Sequence, residues 1–340
     1  MKRLNHLTII GGGSWATALV SIFSASEIHV IWHLRSSDAV QHIQQYGRNP
    51  NYLSFLQLNK EFISPVSDIQ VAIQSAQYVL FAVPSASLGN TIHEIDPALM
   101  VGKILMVSIK GIIPEDGSIP SVFLEKRFDI PQENQVVLGG PCHAEEMALE
   151  RKTYLTIASE NTELAKTISD SIHVEFIKTI INNDPLGVEV AAILKNVIGI
   201  ACGVANGLNY GDNFQAVLVS NAQKEVTLFL EALDHKQREL SNSSYAGDLL
   251  VTAYSEFSRN RTFGQMIVRG YTVHNAQAAM NMVAEGYYAV EGIYKMAQHL
   301  KTNHQQCISG EMPIISAVYR ILYNKMSPNM EFKLLEQQLF

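Results

Sequence analysis

The sequence has few cysteines, no excess of basic residues and no apolar run of membrane length, and each shortage excludes a class of protein. The three cysteines, Cys142, Cys202 and Cys307, lack the spacing of a metal site, so we expect no metal centre and no disulfide framework. Lys and Arg number 25 against 32 Asp and Glu, a formal net charge of -7, and form no basic stripe. Nucleic-acid binding, which requires clustered Lys and Arg, is therefore not expected.

The apolar residues lie in segments too short to cross a membrane. The longest apolar stretch, 190–205, is shorter than a membrane span and has Lys195 near its middle. Met1-Lys2-Arg3 resembles the start of a signal peptide, but the apolar run after it soon reaches Gly11. Hydrophobic residues make up 47% and charged residues 17% of the chain. This composition is typical of a folded globular protein, which we expect in the cytoplasm.

Short apolar runs alternate with helical patterns through the first half of the chain. The runs predict strands at residues 7–10, 28–32, 78–83, 104–109, 136–138 and 154–158, and a helix is predicted from about Ser14. Continuous apolar strands are typical of a parallel sheet that is covered on both faces. The first half is therefore predicted to be an α/β doubly wound domain.

The pattern changes at the turn-forming cluster Asn182-Asn183-Asp184-Pro185. Beyond it the β signals largely stop, and helices are predicted at residues 188–205, 215–233, 275–284 and 314–323. We expect two domains, an α/β dinucleotide-binding domain over residues 1–184 and an all-helical substrate-binding and catalytic domain over residues 185–340.

A glycine-rich segment between the first predicted strand and the first predicted helix indicates dinucleotide binding. Gly11 permits a tight turn, Gly13 lets the backbone approach a pyrophosphate, and Ala16 lets the helix pack closely on the strand. The N-terminus of the helix supplies N–H groups and partial positive charge for the phosphates. A plain glycine turn is the alternative, but the flanking strand and helix favour a Rossmann-type domain.

The end of the second predicted strand bears on the choice between NADH and NADPH. An acidic residue at this place would bind the ribose hydroxyls of NAD, but no carboxylate lies between the end of this strand and Asp38. Arg35 lies there instead and is suited to the 2′-phosphate of NADP. A solvated surface arginine is an equally good interpretation.

Lys195 is the only charged residue between Val190 and Ala205, in the most apolar predicted helix. Lys195 is surrounded in sequence by Ala, Ile, Val and Gly, and burying an ammonium without a partner is costly. A desolvated lysine suits the role of proton donor beside a carbonyl group that is being reduced. The alternative is a lysine whose ammonium reaches the edge of the helix.

Two other places carry charged residues that suit a phosphorylated substrate. Lys110 follows the predicted strand 104–109 at the end where doubly wound sheets bind ligands, although a surface lysine is equally consistent. Asp248 precedes the triplet Ser258-Arg259-Asn260, in which an arginine between a hydroxyl and an amide can hold a phosphate. Such triplets also occur on ordinary loops, so the triplet alone is a weak signal.

Taken in order, these segments resemble one family over nearly the whole chain, from about residue 7 to residue 325. The matching segments are GGGSWATA at 11–18, Val83-Pro84-Ser85, Lys110-Gly111, Gly140-Pro141, Lys195-Asn196-Val197, Gly247-Asp248-Leu249, Ser258-Arg259-Asn260 and residues 283–286. They recur in this order in the bacterial NAD(P)-dependent glycerol-3-phosphate dehydrogenases. The ordered set is specific to that family, whereas no single segment is.

The resemblance implies an enzyme that interconverts dihydroxyacetone phosphate and sn-glycerol 3-phosphate with NAD(P)H, works as a homodimer and supplies glycerol 3-phosphate for phospholipid synthesis. It implies that Lys195 is the catalytic acid/base. The substrate-binding residues would be Lys110, Gly140, Cys142, Lys195, Asp248, Ser258, Arg259 and Asn260. For the dinucleotide it implies Ser14, Trp15, Lys110, Ala144, Arg259, Val283 and Glu285, which join Gly11, Gly13 and Arg35 as predicted above from the residues themselves.

The chain departs from the family pattern at three places. Trp15-Ala16 stands where the family usually has an aromatic residue followed by Gly, Cys142 replaces the usual Ser or Thr, and Ser220-Asn221 stands where an Arg-Gly pair is common. Two other functions remain open from the residues themselves. A ketopantoate-reductase-like enzyme also combines a glycine-rich turn with a helical lysine, and a non-catalytic dinucleotide sensor would need the glycines alone.

Overall fold

The computed structural model of the chain describes residues 4–280, 284–301 and 306–340. The chain divides into two compact units, the first formed by residues up to Ile109 together with Pro120–Glu189. The second unit contains Lys110–Ile119 and the chain from Val190 onward. The boundary predicted after residue 184 falls where a long helix begins, whereas the units divide after Glu189 and residues 110–119 belong to the second unit.

The first unit contains an eight-stranded sheet. Its strands are β1 (His6–Ile10), β2 (His29–His33), β3 (Ile63–Val66), β4 (Tyr78–Phe81), β5 (Ile104–Val107), β6 (Gln135–Gly139), β7 (Thr153–Ala158) and β8 (Ile177–Asn182). They lie in the order β3-β2-β1-β4-β5-β6-β7-β8. The order reverses beside β1, and at such a switch point doubly wound sheets bind ligands outside the carboxyl ends of the strands.

The six predicted strands are confirmed as β1, β2, β4, β5, β6 and β7, and two strands were not predicted. The sequence of β3 contains Pro65, which the ladder tolerates because β3 is an edge strand. The opposite edge strand, β8, is partly exposed, and the polar pair Lys178-Thr179 interrupts its apolar residues, so it lacks a continuous apolar run. The predicted α/β doubly wound fold is confirmed, and its sheet is parallel except where β6 and β7 pair antiparallel.

Helices cover the sheet of the first unit and form the second unit. The first unit contains α1 (Ser14–Ala25), α2 (Ser37–Tyr46), α3 (Ile69–Gln74), α4 (Ser85–His93), α5 (Pro120–Phe128), α6 (Ala144–Ala148) and α7 (Thr162–Ser169). The helices that follow are α8 (Pro185–Gly207), α9 (Gly211–Leu233), α10 (Asp248–Tyr254), α11 (Arg259–Val268), α12 (Val273–Ala279), α13 (Glu285–His299), α14 (Pro313–Leu322) and α15 (Pro328–Leu335). The predicted helical character of the C-terminal part is confirmed for its described residues.

The helix predictions differ from the structure around residue 280. The helix predicted at 275–284 ends at Ala279 in the structure, and residues 281–283 lie outside the described part. Helix α13 was not predicted, and it contains Gly286 and Gly292, which lower helix propensity. Helix α8 is long and apolar enough to cross a membrane, but its apolar window is entirely buried within the protein. It is therefore the core helix of a folded unit.

A buried carboxyl group links α9 to the start of α14 and makes stability depend on pH. Glu225 accepts hydrogen bonds from the backbone N–H groups of Ile314 (2.6 Å) and Ile315 (3.1 Å). Burial raises the pKa of Glu225 from its usual value of 4.5 to about 8, against the smaller opposing effect of these two hydrogen bonds. The folded state therefore holds the proton more tightly than the unfolded state, so stability is lost as the pH rises from about 4.5 to 8.

We expect the thermal unfolding midpoint to fall between pH 5 and pH 8 by more in the wild type than in Glu225→Gln, because glutamine does not titrate. The difference should correspond to about 1 kcal/mol or more, or a few degrees in Tm. Differential scanning fluorimetry across this range is the check. Burial also raises the pKa of Glu189, to about 7, so Glu189 likewise lowers stability as the pH rises. It does so equally in the wild type and in Glu225→Gln, and the difference between the two proteins is due to Glu225. Identical pH profiles for the two proteins would contradict a titrating Glu225.

Candidate active site

The glycine-rich turn after β1 has the geometry of a phosphate-binding turn. Gly11 has φ +136°, and a Cβ there would lie 2.4 Å from the carbonyl oxygen of Ala82, so only glycine fits. Gly13 is the N-cap of α1, and a Cβ at Gly13 would meet no atom within 4 Å. The first turn of α1 contains no acidic residue. An open space over a helix N-terminus without acidic side chains suits an anionic group.

Side chains from neighbouring elements fix this turn. Trp32 donates its indole N–H to the carbonyl oxygen of Gly11 at 2.7 Å. Asn49 donates to the carbonyl oxygen of Gly12 at 3.0 Å and to the hydroxyl of Thr17 at 2.8 Å. These contacts leave the backbone of the turn little freedom, so the turn is held in one shape before any ligand arrives.

Trp15, in the first turn of α1, is tied to the carboxyl ends of two other strands. Its indole N–H donates to the hydroxyl of Ser108 at 2.8 Å, and that hydroxyl donates to the carbonyl oxygen of Leu138 at 3.1 Å. Ala16 is completely buried. Its methyl group is therefore accommodated between α1 and the sheet, at the position where the family pattern has glycine.

Arg35 lies in the connection between β2 and α2, and its side chain is exposed. The neighbouring His33 is buried, and this burial lowers the pKa of its imidazole below the usual 6.5, against a smaller opposing effect of a hydrogen bond with the Ser67 backbone. The exposed Arg35 guanidinium is therefore two residues from the His33 imidazole, whose neutral form is favoured by burial.

The end of β6 carries the other predicted site residues of the first unit. Gly140 has φ +92°, and a Cβ there would lie 2.8 Å from the Thr156 hydroxyl, so a larger residue would be strained. The thiol of Cys142 is buried and donates to the carbonyl oxygen of Gly140 at 3.0 Å. Ala144 begins α6 and is also buried.

In the second unit, three charged side chains form one cluster. Lys195, on α8, is 5% exposed and donates a hydrogen bond to Oδ1 of Asp248, which is 1% exposed and begins α10. The ammonium of Lys110 lies 3.7 Å from Oδ2 of the same carboxylate. Two ammonium groups around one buried carboxylate leave a net positive charge, which favours an anionic or polarised ligand.

The backbone beside this cluster is fixed by Asn196. Its side-chain amide donates to the carbonyl oxygen of Lys110 at 2.6 Å, across 86 positions of sequence. Within α10, the Thr252 hydroxyl donates to the carbonyl oxygen of Asp248 at 2.9 Å. The positions of all three charged residues thus depend on contacts within the second unit.

Helix α11 brings the triplet 258–260 onto α8. Ser258 is the N-cap of α11 and accepts a hydrogen bond from the backbone N–H of Arg261 at 3.4 Å. The two helices cross in close contact, since a Cβ at Gly203 of α8 would lie 2.0 Å from the carbonyl oxygen of Arg261. A Cβ at Gly199, one turn after Lys195, would lie 3.2 Å from the Cβ of Asn260. The N-terminus of α11 therefore lies next to the cluster of Lys195, Asp248 and Lys110.

Asn260 also contacts the start of α13. Its Oδ1 accepts a hydrogen bond from the backbone N–H of Gly286 at 2.9 Å. Glu285, the first residue of α13, is half-buried and precedes this contact. Val283, a predicted dinucleotide-binding residue, lies outside the described residues.

The structure thus groups the predicted site residues by unit. The site residues predicted in the second unit lie together; they are Lys110, Lys195, Asp248, Ser258, Arg259, Asn260 and Glu285. Those of the first unit lie along the carboxyl-end edge of the sheet and in the turns that follow its strands; they are Gly11, Gly13, Ser14, Trp15, Arg35, Gly140, Cys142 and Ala144. Sequence reasoning missed the positioning contacts of Ser108 and Asn196. Asn196 had one usable signal, because it is a second polar residue within the apolar run of α8.

The comparisons with known proteins agree over both units. A family model described as the NAD-dependent glycerol-3-phosphate dehydrogenase N-terminus matches residues 6–165, and the corresponding C-terminus model matches residues 184–333. The glycerol-3-phosphate dehydrogenase (NAD(P)+) of Syntrophomonas wolfei is 34% identical over 318 residues, which cover 93% of this chain and 90% of that protein. The corresponding protein of Carboxydothermus hydrogenoformans is 32% identical, covering 95% of this chain and 93% of its own length.

Solved structures give the same result. The crystal structure of glycerol-3-phosphate dehydrogenase from Coxiella burnetii is similar with a TM-score of 0.88 and 26% identity, covering 98% of this chain and 99% of that one. A putative ketopantoate reductase from Ralstonia solanacearum is similar with a TM-score of 0.56 and 12% identity, which shows a shared fold alone.

Proposed function

The chain belongs to the NAD-dependent glycerol-3-phosphate dehydrogenase family, and from that premise we propose that it interconverts dihydroxyacetone phosphate and sn-glycerol 3-phosphate with NAD(P)H. It is an oxidoreductase, as the resemblance in sequence predicted. The observation that carries the proposal is the cluster of Lys195, Asp248 and Lys110 beside the N-terminus of α11. With this activity, the chain supplies glycerol 3-phosphate for phospholipid synthesis.

The residues of the first unit fit a dinucleotide. The open space at Gly13, the fixed turn at Gly11 and the absence of acidic residues in the first turn of α1 suit a pyrophosphate. When bound, the nicotinamide supplies or accepts the hydride. We propose that Gly11, Gly13, Ser14, Trp15 and Ala144 line the dinucleotide, together with Arg35, Lys110, Arg259, Val283 and Glu285.

Lys195 would move the proton at the reacting oxygen. During reduction, negative charge grows on the carbonyl oxygen of the substrate, and a buried ammonium placed there stabilises that charge and donates the proton. Asp248 keeps the Lys195 ammonium oriented through its hydrogen bond at Oδ1. Lys110 adds a second positive charge beside the same carboxylate, so that it can contact the substrate without replacing Lys195.

The N-terminus of α11 would hold the phosphate. Ser258 and Arg259 stand at the first turn, where backbone N–H groups and the helix dipole favour an anion. Because Oδ1 of Asn260 is engaged by Gly286 N–H, Asn260 would contact the phosphate through its Nδ2 donor. Gly140 and Cys142 are proposed substrate contacts through the backbone at the end of β6, since the Cys142 thiol donates to Gly140.

The proposal is tested by steady-state oxidation of NADPH and NADH with purified protein. We expect turnover with dihydroxyacetone phosphate and none with ketopantoate. The reason is that Arg259 and the N-terminus of α11 are suited to a phosphate group, which ketopantoate lacks. Turnover with ketopantoate alone would favour a ketopantoate-reductase-like enzyme. Dinucleotide binding without turnover of either substrate would favour a sensor.

Arg35 provides a prediction about cofactor choice. If its exposed guanidinium meets the 2′-phosphate, the wild type uses NADPH at least as well as NADH, and Arg35→Asp inverts this preference by repelling the phosphate and accepting ribose hydroxyls. Because the contact is solvent-screened, we expect a shift of about tenfold in the ratio of kcat/KM values. An unchanged ratio would mean that Arg35 points into solvent.

We further propose a homodimer in the cytoplasm that binds no nucleic acid, in keeping with the composition and the net charge of -7. The proposed division of labour gives most dinucleotide contacts to residues 1–184 and gives catalysis and most substrate contacts to residues 185–340. Analytical ultracentrifugation of the purified chain measures the oligomeric state directly.

A further inference from the structure

Lys110 is carried by a short segment that belongs to the helical unit, although the chain on both sides of it belongs to the α/β unit. Lys110–Ile119 is part of the second unit, between β5 and α5 of the first. The segment folds back on itself, because Ile113 N–H donates to Ser118 O and Gly117 N–H donates to Ile113 O, both at 2.9 Å. The segment is therefore a small closed loop.

This loop is anchored by two apolar side chains that follow Lys110 and Gly111. Ile112 and Ile113 are 1% and 0% exposed, whereas the side chain of Lys110 is 17% exposed. Two buried anchors so close to Lys110 restrict where its backbone can lie. The backbone of Lys110 is also restrained by the hydrogen bond that the Asn196 side chain donates to its carbonyl oxygen.

Ile112 packs against helix α13 at a place where only glycine fits. A Cβ at Gly292 would lie 2.5 Å from Cγ2 and 3.1 Å from Cβ of Ile112. Ile112 is β-branched and fully buried, so its side chain has no free rotamer to move into. A methyl group at residue 292 would therefore push the backbone of residue 112, two residues after Lys110.

Six residues earlier in α13, Gly286 touches the backbone on the other side of the cluster. A Cβ at Gly286 would lie 2.5 Å from the carbonyl oxygen of Asn196, the residue after Lys195. Helix α13 thus contacts the backbone next to Lys195 and the anchor next to Lys110 through two of its glycines.

We propose that α13 is the element that positions Lys110 in the active site, and that Gly292, through Ile112, is a positioning residue for the proposed reaction. Gly292 touches none of the three charged side chains. Its role is to let Ile112 lie close enough to α13 for the Lys110 ammonium to stay 3.7 Å from Asp248. This inference rests on the proposed function, because its test requires turnover of dihydroxyacetone phosphate.

The test is a double-mutant cycle between Gly292→Ala and Lys110→Ala, read as kcat and KM for dihydroxyacetone phosphate. We expect Gly292→Ala to lower kcat/KM about tenfold or more, a loss of at least about 1.4 kcal/mol of transition-state stabilisation. In the Lys110→Ala background the same change should cost less than about twofold, because there is no ammonium left to misplace. Adding Ile112→Ala to Gly292→Ala should recover most of the loss, since it removes the closest contact.

Gly310→Ala is the matched control, because a Cβ at Gly310 would meet no atom within 4 Å; its kinetics should equal those of the wild type. If Gly292→Ala is not obtained folded, Asn196→Ala removes the other restraint on Lys110, and its loss must likewise vanish in the Lys110→Ala background. Equal losses in both backgrounds, or a folded Gly292→Ala with wild-type kinetics, would overturn the proposal. An inactive wild type would instead overturn the proposed function.

Discussion

Lys195→Met is expected to remove nearly all turnover of dihydroxyacetone phosphate while leaving dinucleotide binding intact. Methionine keeps most of the apolar length of the side chain within α8 but cannot donate a proton. Loss of a general acid typically costs about 10²–10⁴-fold in rate. Stopped-flow or steady-state kinetics give kcat, and quenching of protein fluorescence gives the Kd for NADPH.

The control for this substitution is another lysine with a structural role. Lys103 donates to the carbonyl oxygen of Ile73 at 2.8 Å, and burial lowers the pKa of its ammonium. Lys103→Met should therefore lower stability and leave kcat unchanged. Removing Lys195 also takes the closest cation from the buried carboxylate of Asp248, so the variant should unfold at a lower temperature. A Lys195→Met enzyme with kcat within about threefold of the wild type would contradict the role of proton donor.

Arg259→Ala is expected to separate phosphorylated from unphosphorylated substrates. Only dihydroxyacetone phosphate would lose a charge-assisted contact, so its kcat/KM should fall by about 10–10²-fold, whereas that of dihydroxyacetone should change little. The physical reason is the position of Arg259 in the first turn of α11, where helix dipole and guanidinium act on the same anion. Kinetics with both substrates at saturating NADPH measure the split, because saturation offsets any loss of the proposed contact between Arg259 and the dinucleotide.

Arg269 offers a matched control at the opposite end of the same helix. It is exposed and forms the C-cap of α11, so Arg269→Ala removes the same charge from the helix without touching its N-terminus. Kinetics of this variant should match the wild type with both substrates. Equal losses for Arg259→Ala on phosphorylated and unphosphorylated substrate would contradict a contact with the substrate phosphate and leave Arg259 with the proposed dinucleotide contact alone.

Local patterns in the sequence were sufficient for the parts of the fold that depend on local chemistry. The β1–turn–α1 segment was predictable because glycine is the only residue type that fits at position 11, beside Ala82. Such constraints fix the spacing of glycines in the sequence, and this spacing is the motif. Lys195 was identifiable because a single ammonium inside an apolar helix demands a partner. The partner itself, Asp248, is 53 residues away, and no periodicity indicates that pairing.

The features that could not be predicted depend on contacts between distant segments. The strands β3 and β8 lie at the sheet edges, where proline and polar residues replace the apolar runs of the interior. Helix α13 was missed because Gly286 and Gly292 weaken the helix signal, yet both glycines are required by close packing. The assignment of 110–119 to the helical unit depends on Ile112 and Asn196 contacts that only the folded chain shows.

The central claim is that this chain transfers hydrogen between a nicotinamide and C2 of a three-carbon phosphate. Its most direct test is to incubate the protein with dihydroxyacetone phosphate and NADPH that carries deuterium at both C4 positions, and to analyse the product by mass spectrometry and NMR. The account predicts glycerol 3-phosphate with a single deuterium at C2, formed in equal amount to the NADP+ released, and no labelled product from Lys195→Met within the same time. Oxidation of the labelled NADPH without deuterium in glycerol 3-phosphate would contradict it.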